Sequence, residues 1–458
     1  MLSAVPYFQT GLLILVWILF SLWSYRGVIA RFSEARKHSD SDLIVAYASE
    51  SGSAEALSTQ LADCLRAQGA SVQHLSLNQV TPDRLRSLKT LLIIASTYGE
   101  GDAPDNGRFF IPALKKAAGQ FPRLKFSVLG LGDTNYEHFC GFADAINSSL
   151  LDAAASTLAP LVAVDRNDPE AIASWFWQLD ELGMIDYGGL HQTDKVSPDG
   201  QNHLYELTLS ERRYLNRGSP GAPLYEIQFA VQEPLDWNAG DIVQLHLNGQ
   251  VREYSIASVP QEGALRLLVR EQKHPDGRLG LGSGWLCRLA ELGSVSSLSL
   301  RSNPSFHCPA STGKLILIGN GSGLAGLRAH LKARELTGKH DNWLIFGERS
   351  PETDRHWDDE LLRWYESGHL AYLDRSFSRA GDDDLNDLGG SASCGYVQDV
   401  VMVRNERLMR WIREGATIMV CGSRNGMAQD VDHLLCRLFG EEAVTELTAA
   451  GRYRRDVY

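Results

Sequence analysis

Leu43-Ile-Val-Ala-Tyr-Ala48-Ser49-Glu-Ser51-Gly52-Ser53-Ala54 is the stretch whose reading decides the fold. A short apolar run passes directly into a loop of small, hydroxyl-bearing residues, and over 54–68 the apolar positions recur at helical spacing. The same apolar run returns at 91–95 and at 125–129, each time leading into a Gly-rich loop. This βαβ rhythm predicts an α/β fold with a doubly wound parallel sheet, whose ligands bind at the carboxyl ends of the strands. The hydroxyls of Ser49, Ser51 and Ser53, with the backbone N–H groups around Gly52 and Ala54 at the helix start, make a cradle suited to one phosphate. The Lys of a nucleoside-triphosphate loop is missing, which favours a monophosphate over ATP. By itself a Ser-rich turn serves equally well as a helix cap.

Two further loops change that balance. Ser96-Thr97-Tyr98-Gly99-Glu-Gly101-Asp102 and Leu131-Gly132-Asp133-Thr-Asn135-Tyr136 each follow an expected strand and each present one Tyr. Three such loops on one sheet edge can hold a phosphate, a polyol chain and a planar ring between two aromatic faces. The first domain is read as 42–183, closing with a helix around 169–182, and a polar, Gly-rich linker follows at 184–200. Over 201–310 the pattern switches to period-2 strands (HLYELTLSE, PLYEIQFAVQ, DIVQLHLN, REYSIAS, ALRLLVRE), which predicts a β-barrel or sandwich. From 311 to 458 the βα alternation returns.

Gly319-Asn320-Gly321-Ser322-Gly323-Leu-Ala-Gly326 follows one of these later strands and opens a helix, as a dinucleotide diphosphate requires. The chain ends Asp456-Val-Tyr458, and a terminal ring can cover a planar cofactor and still swing away; an aromatic C-terminus alone is more often a docked end.

The net charge of −12 and the lack of a Lys/Arg cluster argue against nucleic acid. Residues 41–183 hold 10 basic against 17 acidic residues, an excess that either steers a basic partner or is a solvated surface. Seven Cys without a C-x-x-C pair fit free thiols, and the thirteen His show no metal-ligand spacing, so no metal is expected. Residues 1–25 carry no charge and 11–23 read GLLILVWILFSLW, with Arg26, Arg31, Arg36 and Lys37 following. That pattern predicts a transmembrane signal anchor over 1–31 with the body of the protein in the cytoplasm, hence a single-pass inner-membrane protein. A peripheral apolar helix is the alternative.

The segments YASESGSAE, STYGEGDAPDNGRFF and LGLGDTNYEHFCGF resemble the three FMN loops of flavodoxin-like domains in the diflavin reductase family. Arg252-Glu-Tyr254-Ser255 is similar to the FAD-binding R-x-Y-S of the ferredoxin–NADP reductase fold, and Gly280-Leu-Gly282-Ser283-Gly-Trp to its FAD diphosphate loop. The order of segments from 42 to 458 is most like the sulfite reductase flavoprotein branch of that family. The resemblance implies an FMN domain, an FAD barrel and an NADPH domain. It also implies Ser378, Arg379, Tyr396 and Gln398 around the NADPH 2′-phosphate, and hydride transfer beside Ser255, Cys421, Asp456 and Tyr458.

Three departures stand out. Asn320 and Gly326 replace usual prolines, Cys394 replaces a common Lys at the 2′-phosphate, and only about ten residues separate Asp241 from Arg252, where the family carries a helical connecting domain. The expected function is a membrane-anchored NADPH-dependent reductase that passes electrons from NADPH through FAD and FMN to a metalloprotein acceptor of haem or sirohaem type with a basic docking face. Direct reduction of small acceptors such as ferric chelates or quinones is the alternative.

Overall fold

Residues 42–49, 52–97, 101–117, 120–134, 138–187, 203–231, 235–381, 385 and 388–458 are described by the structure, a computed structural model. The expected anchor at 1–31 and residues 188–200 of the expected linker lie outside the described residues. Among the described residues no helix is long and apolar enough to cross a membrane. The chain divides into two compact units, one carrying the first sheet and the other the second and third.

The first sheet contains β1 Leu43–Ala48, β2 Val72–Ser76, β3 Thr90–Ser96, β4 Lys125–Gly132, β5 Ser156–Thr157 and β6 Val162–Asp165. All pairings are parallel, in the order β2-β1-β3-β4-β5, with β6 also on β4. The apolar run of β3 has no alternation because both faces are covered, and Leu91 to Ala95 are buried without exception. The helix Ser53–Ala67 starts where Gly52 adopts φ +90°, and the helix Pro169–Glu181 starts behind Asp168, whose carboxylate accepts from the Glu170 N–H. Trp175 of the latter helix is fully buried and donates its indole N–H to Ser127 Oγ at 2.8 Å. Ile185 and Tyr187, at the head of the expected linker, are buried, with Tyr187 stacked on Phe176.

The second sheet is antiparallel, as the period-2 pattern predicts. Its strands are β7 Tyr205–Tyr214, β8 Leu224–Ala230, β9 Ile242–Leu247, β10 Gln250–Ser255, β11 Ala264–Arg270 and β12 Val295–Arg301, in the order β10-β9-β12-β7-β8-β11. The sheet curls until its two ends meet: Ile256, just past β10, bridges Leu267 of β11, and the Ala257 N–H donates to the Arg266 carbonyl at 2.8 Å. Leu209, Ile227, Phe229, Val243 and Leu265 fill the interior. Asn248 (φ 51°) and Gly249 (φ 75°) turn β9 into β10. Asn-Gly with two positive φ angles is the preferred two-residue hairpin turn.

The third sheet is parallel, with β13 Leu315–Asn320, β14 Asn342–Glu348, β15 Leu370–Phe377, β16 Ser391–Cys394, β17 Thr417–Gly422 and β18 Tyr453–Val457 in the order β16-β15-β14-β13-β17-β18. Successive residues of β13 face opposite layers. Leu315 and Leu317 pack with Leu327 and Trp364, whereas Ile316 and Ile318 pack with Trp343, Val401 and Val431. The strand order changes direction at β13, which places the ligand crevice at its carboxyl end. The periodicity did not call β16 or β18; the C-terminal tail is an edge strand paired with β17, Cys421 opposite Asp456.

Trp343 tests this layer. It has no exposed surface, lies 5.8 Å from the Trp411 ring and donates its indole N–H to Asp374 at 2.8 Å. Trp343→Ala is expected to lower the stability of the second unit by about 3–5 kcal/mol, measured by urea unfolding.

Candidate functional site

In the first unit β1, β3 and β4 are adjacent and parallel, so the chain leaves all three at one edge of the sheet. Residues 49–56 and 103–109 group with the second unit; there Ser49 is buried, its N–H donates to Asn106 Oδ1 at 2.8 Å and its hydroxyl oxygen accepts the Gly52 N–H at 2.9 Å. A Cβ on Gly52 would meet nothing within 4 Å, so the positive φ rather than crowding calls for glycine, and the turn keeps an open face. Ser53 and Ala54 begin the helix behind it. Thr97 donates its N–H to the Leu131 carbonyl at 2.7 Å, tying the loop after β3 to β4, and its hydroxyl oxygen accepts the Phe142 N–H. Gly101 and Gly132 are sites of close approach: a Cβ would lie 2.8 Å from His138 Cβ and 2.9 Å from Cys140 N, respectively. Beside Asp133, the Asp165 carboxylate accepts the Thr134 N–H and hydroxyl, and the N–H above all holds its pKa below the ordinary carboxyl value. Ser51, Tyr98, Gly99, Asn135 and Tyr136 lie outside the described residues. Asn106 was missed by sequence reasoning, since nothing local marks a residue that serves a loop 57 positions away.

In the second unit Arg252 and Tyr254 share a face of β10, and the Gly280 loop is pressed against it. A Cβ on Gly282 would sit 2.4 Å from the Tyr254 hydroxyl and 2.9 Å from Arg252 Cγ. Ser283 is buried and its hydroxyl oxygen accepts the Gln272 N–H at 3.0 Å, while the Gly280 N–H donates to the Gln272 carbonyl at 2.8 Å. Ser283 therefore shapes the loop. The Arg252 guanidinium stays exposed, bonded only to the Val251 carbonyl and Gln250 Oε1. Burial raises the pKa of the Tyr254 phenol and keeps it a neutral donor.

The carboxyl ends of β13, β14, β15 and β17 surround a cavity of about 800 Å3. Gly321, Ser322, Ser378, Arg379, Tyr396 and Gln398 line it, as does the rim residue Tyr458. Gly323 is not part of the lining. A Cβ there would lie 2.1 Å from the Cys421 carbonyl oxygen, so its glycine is required by the approach of the helix Leu324–Leu336 to β17. Asn320 Oδ1 accepts the Ser423 N–H at 3.0 Å and joins the ends of β13 and β17. Gln398 donates its amide to Asp430 at 3.1 Å, and Cys394 is exposed with its thiol on the Ala380 carbonyl.

Ser255, Cys421 and Asp456 meet. The Ser255 hydroxyl donates to Asp456 Oδ2 at 2.6 Å and the Cys421 thiol to the same oxygen at 3.7 Å. Burial raises the pKa of the Cys421 thiol well above its ordinary value and also raises that of the Asp456 carboxyl. Tyr458 follows directly, its N–H on the Gly422 carbonyl and its hydroxyl 3.2 Å from Ser322 Oγ.

Among the described residues the one cluster of metal-type donors is Glu348, Asp354 and His356, all buried. Arg270 already supplies a cation there, with Nη2 2.6 Å from Glu348 Oε1.

Residues 45–175 match the Flavodoxin family model. Over nearly its whole length the chain is similar to curated proteins named sulfite reductase (NADPH) flavoprotein alpha-component. It is 27% identical to that of Thiocapsa roseopersicina, covering 88% of this chain and 84% of the relative. It is 27% identical to that of Yersinia enterocolitica (90% and 89%) and 24% identical to that of Bacillus subtilis (91% and 89%). The Yersinia alignment runs over 548 positions, longer than these 458 residues, so that relative carries stretches this chain lacks.

Asp456 makes the pH behaviour testable. Its folded pKa lies above the unfolded one, so the folded chain binds the proton more tightly and this group's contribution to stability falls as pH rises through that window. Asp456→Asn removes the titration while keeping an acceptor for Ser255. Melting curves from neutral to acidic pH should show the wild type gaining on the variant as pH falls; a constant difference would refute the desolvation. With its flavodoxin-type segment and these relatives, the chain is a flavoprotein oxidoreductase.

Proposed function

We propose that the chain is an NADPH-dependent diflavin reductase which passes electrons through FAD and FMN to a metalloprotein acceptor of haem or sirohaem type. The observation that carries this reading is the meeting of Ser255, Cys421 and Asp456. Ser255 ends the strand that bears Arg252 and Tyr254, and the other two lie on strands bordering the nucleotide cavity. When bound, the two flavins supply the conversion of a two-electron donor into one-electron deliveries.

The protein's part is placement. Arg252, Tyr254 and the Gly280–Ser283 loop fit the diphosphate and ring of FAD, because the face they share is kept clear by a glycine whose Cβ would strike the Tyr254 hydroxyl. The Ser49–Gly52 turn and the open face over Gly52 fit the phosphate of FMN. The 800 Å3 cavity fits a dinucleotide, with Ser378, Arg379, Tyr396 and Gln398 at its 2′-phosphate end. Ser255 holds its hydroxyl toward Asp456, and the two would flank a bound nicotinamide. The Tyr458 residue is half exposed at the rim and its side chain makes one hydrogen bond, to Ser322 Oγ, which would let the ring yield to a nicotinamide.

The acceptor reading draws on the relatives' names and on the acidic excess over 41–183, which favours a basic docking face. The anchor reading rests on the uncharged run at 1–25 and the arginines behind it, and sets the catalytic domains on the cytoplasmic side of the inner membrane.

Purified full-length protein is expected to carry both flavins and to bleach on anaerobic addition of NADPH. Ser255→Ala should slow that bleaching about a hundredfold with flavin content unchanged. A single flavin type after reconstitution, or no bleaching, overturns the reading. Turnover with ferric chelates as fast as with haem proteins would replace the metalloprotein acceptor by small ones.

A further inference from the structure

Ser255 stands at one end of a row of side chains that crosses the antiparallel sheet. It pairs with Ile242 of β9, and Ile242 pairs on its other side with Arg301, the last residue of β12. Paired residues of adjacent antiparallel strands project to the same side, so Arg301 and Ser255 share a face with Ile242 between them. The next row on that face, two residues along each strand, holds Glu253, Gln244 and Ser299.

Arg301 leans along this face instead of standing out into water, and only 17% of its side chain is exposed. It reaches across β9 to β10, where Nε donates to Glu253 Oε1 at 2.8 Å and Nη2 to Glu253 Oε2 at 3.0 Å. A two-point bond of this kind fixes the plane of the guanidinium. Glu253 is steadied in turn by Gln244 Nε2 at 2.9 Å, and Gln244 Oε1 accepts the Ser299 hydroxyl at 2.9 Å. Because Glu253 lies two residues before Ser255, the clamp brings the cation to the end of the row where the Ser255 hydroxyl meets Asp456.

Asp456 faces Ser255 and Glu253 from β10, Arg301 from β12, Cys421 from β17, and Tyr458 further along its own strand. The other arginines of β18 have partners elsewhere: Arg454 Nη1 donates to the Pro304 and Ser305 carbonyls at 2.7 and 3.0 Å, and Arg455 Nη1 lies 3.7 Å from Asp432. Burial raises the pKa of the Asp456 carboxyl; the Ser255 hydroxyl and then Arg301 act against that rise, and Glu253 adds to it.

We propose that Arg301 is a positioning residue of the hydride-transfer cluster: clamped by Glu253, it sets the charge that Asp456 carries beside Ser255 and Cys421. The proposal rests on the nucleotide-reductase reading and adds a control from a third strand. The arginine favours the charged carboxylate and the glutamate opposes it, so removing one or the other acts with opposite sign.

The test follows Asp456 in melting curves of the flavin-loaded full-length protein, each background being compared with the same background carrying Asp456→Asn. The readout is the pH below which the aspartate form begins to gain on the asparagine form. Losing the arginine lifts the folded pKa further above the unfolded one, so the gain begins at higher pH. Arg301→Gln is expected to move that onset up by about one pH unit. Glu253→Gln keeps an acceptor for Arg301 and drops the opposing charge, so it should move the onset down. The pH dependence of flavin bleaching by NADPH should shift in the same two directions with flavin content unchanged. General loosening of the site would instead move both variants the same way. An unmoved onset in Arg301→Gln, or shifts of one sign in the two variants, overturns the proposal. A wild type that does not bleach overturns the reductase reading instead, and the melting curves still decide what sets the charge of Asp456.

Discussion

A carboxylate taken out of water is unfavourable by several kcal/mol unless donors meet it, and the site in the second unit is arranged around one such group. Asp456 receives the Ser255 hydroxyl from the second sheet and the Cys421 thiol from the neighbouring strand of the third. The first contact forms only when the curled antiparallel sheet meets the edge strand β18, the second only when β18 is in register with β17. The carboxylate thus requires the tertiary arrangement that it also serves. Around it the packing leaves no slack: Cβ atoms on Gly319 and Gly323 would come within 2.6 and 2.1 Å of the Cys421 carbonyl oxygen.

The same economy of charge governs the cavity. Glu348 and Arg270 neutralise each other at one wall of the cavity, which Arg349, Arg379 and Asp430 also line. Asn320 stiffens the turn through a long-range bond, its Oδ1 accepting the Ser423 N–H.

The turn between β9 and β10 is made by two residues. Asn248 and Gly249 take positive φ angles at little steric expense, so β9 and β10 pair along their length without a bulge. Arg252 and Tyr254 therefore emerge from a hairpin anchored on one side by β12.

Much of this was written locally. Apolar runs ending in Gly- and Ser-rich loops specified the parallel sheets, period-2 stretches specified the antiparallel one, and the loops at 49–54, 280–283 and 321–326 could be placed because spacing and glycine are properties of neighbours in sequence. What no window of sequence contained was the company kept by single side chains. Ser255 and Asp456 are 201 residues apart, and Arg270 and Glu348 are 78. Tyr453–Val457 shows no strand alternation, because its central three residues are only half-buried, and it became a strand through pairing with β17. Gly323, read from its motif as a phosphate contact, is also a packing contact, since a Cβ there would strike the Cys421 carbonyl. The physical reason is one of range: torsional preference and periodicity act over a few residues, whereas the pairing of buried charges is decided only after the sheets have closed on one another.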